Sequence, residues 1–361
     1  MNFKEFGDLW EYLASQKEKS IVMYGMGNGA DKILDVCSLY GIEIADFFAS
    51  DGFVRGHSFH GKTVLSYSEV KQKYGAENII VLLSFASSLP SVLETIYKVA
   101  DECELYAPDV PVCGGTLFCR EFYEKNKQNI KAARDLLADD TSKQIFDNVI
   151  NYKLSGDIRY LRVAECEKNE GYCDILHAEN IETAIDAGAY NGDTVRELSG
   201  YAEGLRKIFA LEPDRRNFRK LSEYAEGEKR FEIVTLKNAA WNEKATLLYD
   251  ASGNRNAGLN TGAKKTAEVE AITIDSLTDE RVDYIKYDVE GAEKEALLGS
   301  LETIKAHRPA LLVSAYHRSE DIFELPLLVN SLEPSYKLYL RRYPYVPAWD
   351  LNLLAVTQEK K

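Results

Sequence analysis

A few groups in the second half of the chain have the types and spacing to do chemistry together. In "TAIDAGAYNGDT" (residues 183–194) an apolar run meets Asp186, then Gly188, Ala189, Tyr190 and Gly192, then Asp193 and Thr194. Glycines at a strand-to-helix turn let the backbone curl tightly and approach a ligand. The acid comes before the glycines, whereas in Gly-x-Gly-x-x-Gly turns bare amides receive a pyrophosphate. A carboxylate in that place disfavours phosphate and favours a ligand carrying positive charge. Asp193 reads most simply as the N-cap of the following helix. Farther on, "ALEPD" ends a second strand with Glu212, Pro213 and Asp214. An acid there can accept both hydroxyls of a ribose; the alternative is a surface carboxylate. "KNAAW" closes a third strand on Asn238, Ala239 and Ala240, small enough to admit the edge of an adenine.

The run "DYIKYDVEGAEKEALLGSL" holds the most unusual pattern. Strand alternation puts Lys286, Asp288 and Glu290 on one face. Three charges in a central parallel strand are costly unless they pair or face a cleft. Asp288 therefore lies at the crevice beyond the strand ends, where a group donor and its acceptor can meet. The alternative is a Lys286–Glu290 ion pair, and Glu293 reads as a solvated helix start. His317 ends "LLVSAYH" at the same crevice, where a neutral imidazole could take a proton from a hydroxyl. It reads equally as a loop histidine of structural role. His307, in a polar turn before Pro309, carries no chemistry. A phosphate-free ligand with positive charge, a ribose and an adenine describes S-adenosyl-L-methionine.

These residues need strands and helices in alternation to hold them. Strands are predicted at residues 183–186, 207–212, 231–235, 283–289, 310–315, 337–341 and 352–356. Helices are predicted at 193–198, 215–224, 293–301 and 322–331. Two further strand-like runs, "ATLLYD" and "EVEAITI", flank a polar loop near Asn254–Ala263. Residues 1–112 show a smaller doubly wound pattern of strands and helices. Residues 113–178 read as a helical connector that splits at "ADDTS", where Asp140 or Thr141 could cap the second helix; it could also pack over the site. The expected architecture is α/β: a small Rossmann-like domain (1–112), the connector (113–178) and a larger Rossmann-like domain (179–361).

The 361 residues carry a formal net charge of -14, with 45% apolar and 28% charged residues. That balance suits a soluble globular chain and argues against nucleic acid as a partner, which demands a basic footprint. No apolar run is long enough for a membrane helix, and the charged, amphipathic first residues do not form a signal peptide, so a cytoplasmic location is expected. The six cysteines form no CxxC pair and no metal ligand set is expected.

Two motifs in the first part need weighing. "GHSFHGKT" (residues 56–63) matches the P-loop pattern, but an extended run follows it and "SYSE" looks like a capping box that starts the helix later. "GMGNGA", with Gly25, Gly27 and Gly29, has the right setting, and Asp51 follows the second strand. It resembles the small nucleotide-sugar-binding domain of bacterial amino-sugar acetyltransferases. Alternatives are a nicotinamide cofactor, serving a sugar oxidoreductase, or a degenerate fold used for packing or for a homo-oligomer.

Together "IDAGAYNGDT", "ALEPD", "NAAW", "ITIDSL", "IKYDVEGAEKEALLG" and "HRPALLVSAYH" resemble the FkbM family of S-adenosylmethionine-dependent methyltransferases, over about residues 183–356. The resemblance implies a class I methyltransferase fold of seven strands with the last antiparallel. It also implies O-methylation of a sugar, glycan or nucleotide-sugar hydroxyl, a form of glycan modification. A non-catalytic binding protein that keeps the fold is the remaining alternative.

Overall fold

The computed structural model describes residues 7–54, 56–250 and 266–357. The polar loop at Asn254–Ala263 lies outside them. In the first part, β1 (Ser20–Tyr24), β2 (Asp46–Ala49), β3 (Leu65–Ser66), β4 (Ile79–Leu83) and β5 (Glu104–Tyr106) form a parallel sheet in the order β3-β2-β1-β4-β5. β4 is buried at every position, as a parallel strand covered on both faces must be.

The glycine turn after β1 leads into helix α1 (Asn28–Leu39). A Cβ on Gly29 would lie 2.2 Å from the Ser84 carbonyl oxygen, so close packing of helix on strand demands that glycine. Asp51 accepts from the Ser68 amide (3.0 Å) and hydroxyl (2.7 Å), which commits it to the start of helix α2 (Tyr67–Tyr74). The P-loop match is a hairpin instead, with Ser58–Phe59 paired antiparallel to Lys62–Thr63. Lys62 donates to the carbonyls of Ile44 and Ala45, and α2 starts only after the Ser66–Glu69 capping box. No helix begins at the Gly-Lys-Thr to receive phosphate.

The connector contains α3 (Arg120–Asp135) and α4 (Asp140–Ser155). The cap of α4 is Asp139, one residue before the expected pair, through the Ser142 amide at 2.7 Å. These helices do not cover the crevice. They pack on helix α8 (Asp321–Leu332) and on strand β11 (Tyr336–Arg342), where Arg341 reaches Asp139 at 2.7 Å and Glu170 at 2.8 Å.

The central sheet holds β6 (Thr183–Ala187), β7 (Lys207–Leu211), β8 (Glu232–Leu236), β9 (Tyr284–Tyr287), β10 (Ala310–Ser314), β11 and β12 (Leu351–Thr357). Their order is β8-β7-β6-β9-β10-β12-β11, and β12 runs antiparallel to both neighbours. This is the class I methyltransferase arrangement. Helices α5 (Asp193–Tyr201), α6 (Arg215–Gly227) and α7 (Glu293–Leu298) follow β6, β7 and β9. One apolar core runs from Val22 and Val81 through Phe146 to Ile185 and Val313, so both sheets and the connector share it.

The order places the carboxyl ends of β6 and β9 side by side at the centre, with Asp186 opposite Lys286. A Cβ on Gly188 (φ +90°) would sit 1.8 Å from the Asp288 carbonyl oxygen. Gly188→Ala is therefore expected to cost at least about 2 kcal/mol, through left-handed strain and a backbone clash. Thermal unfolding is the check, and an unchanged midpoint would count against this packing.

Candidate active site

A cavity of about 370 Å³ opens over the carboxyl ends of β6, β7, β9 and β10. At one end Gly188, Tyr190, Glu212, Pro213, Asn238, Ala239 and Ala240 form its wall, with Asp193 and Thr194 nearby. Glu212 is buried and accepts from the Asp214 amide at 2.8 Å. Burial pushes its carboxyl up to about 8, which favours the neutral acid, able to donate as well as accept. Asp214 does not line the cavity: it is the N-cap of α6, accepting from the Arg216 and Asn217 amides. Gly192, not Asp193, occupies the cap position of α5, in left-handed geometry (φ +83°), and Asp193 is exposed at the first helical residue. Ala189 and Gly192 shape the turn from behind the wall.

Asp186 also stands behind the wall. Its carboxylate accepts from the Thr194 hydroxyl and pairs with Lys286 at 3.2 Å. Lys286 pairs in turn with Asp288 at 3.6 Å, rather than with Glu290, its partner in the alternative reading. Burial opposes the lysine charge, but Asp186 and Asp288 hold it above the ordinary lysine range. The charge of Asp186 is thus already balanced, and it is not by itself what turns phosphate away.

At the other end the chain gathers Asp288, Glu290, Glu293 and His317. Glu293, expected to be solvated, is 1% exposed; its Oε1 accepts from the Val289 amide at 2.9 Å and contacts His317 Nδ1 at 2.9 Å. His317 Nε2 faces Asp288 Oδ1 at 3.4 Å and Glu290 Oε2 at 3.6 Å. Asp288, Glu293 and His317 converge to within 4.8 Å, a density of negative charge that one imidazolium offsets. Burial disfavours that cation, yet Glu293, Glu290 and Asp288 raise His317 to about 10. The surrounding carboxylates thus favour the imidazolium over the neutral imidazole expected from the sequence. Burial also disfavours the Asp288 carboxylate, but Lys286 and His317 hold it below the ordinary range; Tyr316 donates to it at 3.3 Å.

Residues 186–345 match the family model for the methyltransferase FkbM domain. The chain carries an FkbM methyltransferase domain. It is accordingly an S-adenosylmethionine-dependent methyltransferase. A crystal structure of the FkbM methyltransferase from Methylobacillus flagellatus KT is similar over 94% of this chain and 90% of its own, with a TM-score of 0.67 at 20% identity. That likeness speaks for the fold, across both sheets. An rRNA methylase from Streptococcus thermophilus (12% identity, 53% of this chain, 95% of its own, TM-score 0.34) is more distant. So is a precorrin-6y C5,15-methyltransferase from Geobacter metallireducens GS-15 (12%, 54%, 94%, 0.34). No curated protein matches the chain.

Several groups at the FkbM site were not singled out by sequence. Tyr316, Tyr345 and Trp349 line the cavity, with Tyr316 and Trp349 stacked at 6.4 Å. Lys168 and Tyr172, near a π-helical turn at Glu170–Ile175, reach the cavity from the connector. Ser88 and Val112 reach it from the first part of the chain. Among the described residues, six non-glycines have left-handed φ, and three of them, Tyr190, Glu290 and Asp350, line the cavity. Strained backbone thus gathers at the site, as it does where geometry is held for function.

His317 gains proton affinity only in the fold. Its contribution to stability is complete below its ordinary value of 6.5 and is lost as pH climbs through about 10. NMR of labelled histidine is expected to show this ring protonated from about pH 6 to about pH 9. A midpoint below neutrality would mean that the carboxylates do not hold it as a cation.

Proposed function

We propose that this methyltransferase moves the methyl group of S-adenosylmethionine to a hydroxyl of a sugar or glycan. The observation that carries this reading is the charge and shape of one cavity. Its wall presents two lysines and His317 against the carboxyl groups of Asp193, Glu197, Asp288, Glu290 and Asp350, with Glu212 adding a sixth that burial biases toward its neutral form. Such a wall suits a sulfonium and an α-ammonium and repels pyrophosphate. That disfavours a dinucleotide in this cavity, and among acceptors it favours a plain glycan over a nucleotide sugar.

The residues at the first end fit the methyl donor. Glu212 can engage the ribose hydroxyls, Asn238, Ala239 and Ala240 leave room for adenine, and Gly188 lets the backbone come close to the methionine part. Donor binding supplies an activated methyl carbon; everything else falls to the chain. The rings of Tyr316, Tyr345 and Trp349 offer apolar faces to a sugar ring. Asp288, kept ionised, and the His317 cation orient the hydroxyl, and most of the rate gain comes from that positioning.

Calorimetry should find binding of S-adenosylmethionine or its demethylated product, and none of NAD. Glu212→Ala is expected to weaken it by about 10- to 100-fold, or about 1.4–2.8 kcal/mol. Tight NAD binding, or an unaffected variant, would remove the support for this placement. Transfer of labelled methyl to a panel of glycan sugars tests the acceptor class.

A further inference from the structure

We propose that Glu290 is the catalytic group that takes the proton from the acceptor hydroxyl, with His317 as its positioning cation and Glu293 as the anchor of both. This rests on the reading of the site as one that methylates a hydroxyl. The geometry points to Glu290 by its own placement and by what surrounds its rivals.

Glu290 sits at the tip of the turn between β9 and α7, in left-handed geometry (φ +54°), and lines the cavity. The buried Glu293 holds this turn from beneath, accepting from the Val289 amide at 2.9 Å and the Gly291 amide at 3.4 Å, while it grips His317 Nδ1. Strain, buried anchor and cation thus fix one side chain at the acceptor end. Its Oε2 meets His317 Nε2 at 3.6 Å and receives the Cys113 thiol at 3.7 Å. The rivals are spoken for. His317 holds its proton against three carboxylates. Asp288 is bound by Lys286, His317 and the Tyr316 hydroxyl, which makes it a poor base. Glu197 pairs with Lys168, and Asp350 accepts from the Asn352 amide nitrogen at 2.9 Å.

The charged and titratable groups facing Glu290 come from every side. Asp288 and Glu293 lie on its own turn and helix, His317 follows β10, Lys32 comes from the first part of the chain and Cys113 from the start of the connector. Burial pushes Glu290 up to about 7, close to the working range of a general base. In the step, the hydroxyl proton passes to the Glu290 carboxylate as an oxygen lone pair bonds the methyl carbon. The carbon–sulfur pair stays on sulfur, which leaves as a neutral thioether.

The test compares full-length wild type with Glu290→Gln, which keeps shape and removes the base. Donor binding is followed by calorimetry, and methyl transfer with labelled S-adenosylmethionine and a panel of methyl glycosides. Glu290→Gln is expected to bind the donor within about threefold of wild type and to lose about 10²–10⁴-fold in turnover. Wild-type kcat should rise with pH through about 7, and this limb should vanish in the variant. His317→Gln removes the neighbouring cation, so it should move the limb to higher pH rather than abolish it. Full turnover in Glu290→Gln, or its loss in Asp350→Asn with Glu290→Gln intact, would overturn the assignment. So would activity abolished by a chelator and restored by a divalent cation, with no limb near 7. A wild type that binds the donor yet methylates no hydroxyl would overturn the underlying reading, and the assignment with it.

Discussion

Lys286 is the charge around which the centre of the molecule is arranged. It lies in the middle strand of the sheet, buried, with Asp186 on the neighbouring strand and Asp288 two residues along its own. A lone ammonium or carboxylate in that place would be expelled or neutralised; the three together are not. Because β6 and β9 meet in register, this cluster holds their carboxyl ends together, and Gly188 can then pack against the Asp288 backbone. The turn carrying Glu290 and Gly291 starts from Asp288, so the fixed lysine also sets where that end of the cavity begins.

Much of this was legible in the sequence, because it follows from local rules. Acids and glycines at strand ends located Asp186, Gly188 and Glu212, and strand alternation set Lys286 and Asp288 on a common face. The capping box at Ser66–Glu69 is legible in the sequence and argues against a P-loop there. Glu293 shows where local rules end. An acid in the first turn of a helix is ordinarily satisfied by solvent and the helix dipole, and nothing nearby announces that His317 closes over it. The same holds for Lys286, whose partner is on another strand and not at Glu290. Nothing local in the sequence marks Tyr316, just after β10, or Tyr345 and Trp349, which the loop after β11 brings to the cavity. The cap positions of α4 and α5 differed from expectation by one residue, which is the resolution of such signals.

The first part of the chain belongs physically to the site. Ser87 and Val346 exchange both backbone hydrogen bonds, at 2.9 and 3.0 Å, and the Val112 amide donates to the His317 carbonyl at 3.1 Å. Lys32 donates to the Pro111 carbonyl at 3.2 Å and also to that of Val112, securing that strap. In the glycine turn after β1, by contrast, Gly29 is demanded by helix–strand packing, and Asp51 is committed to Ser68. Loops that follow the smaller sheet, through Ser88 and Val112, therefore form part of the cavity wall.

The bridge between Ser87 and Val346 has a consequence for the making of the molecule. Ribosomal synthesis delivers β4 and its following loop long before the segment that pairs with them. Contacts so distant along the chain slow folding, since loop-closure entropy is lost before the contact is gained. During that interval the apolar core shared by the two sheets has only one of its faces. The nascent first sheet must either wait with apolar surface exposed or be covered by another protein until β10 to β12 emerge.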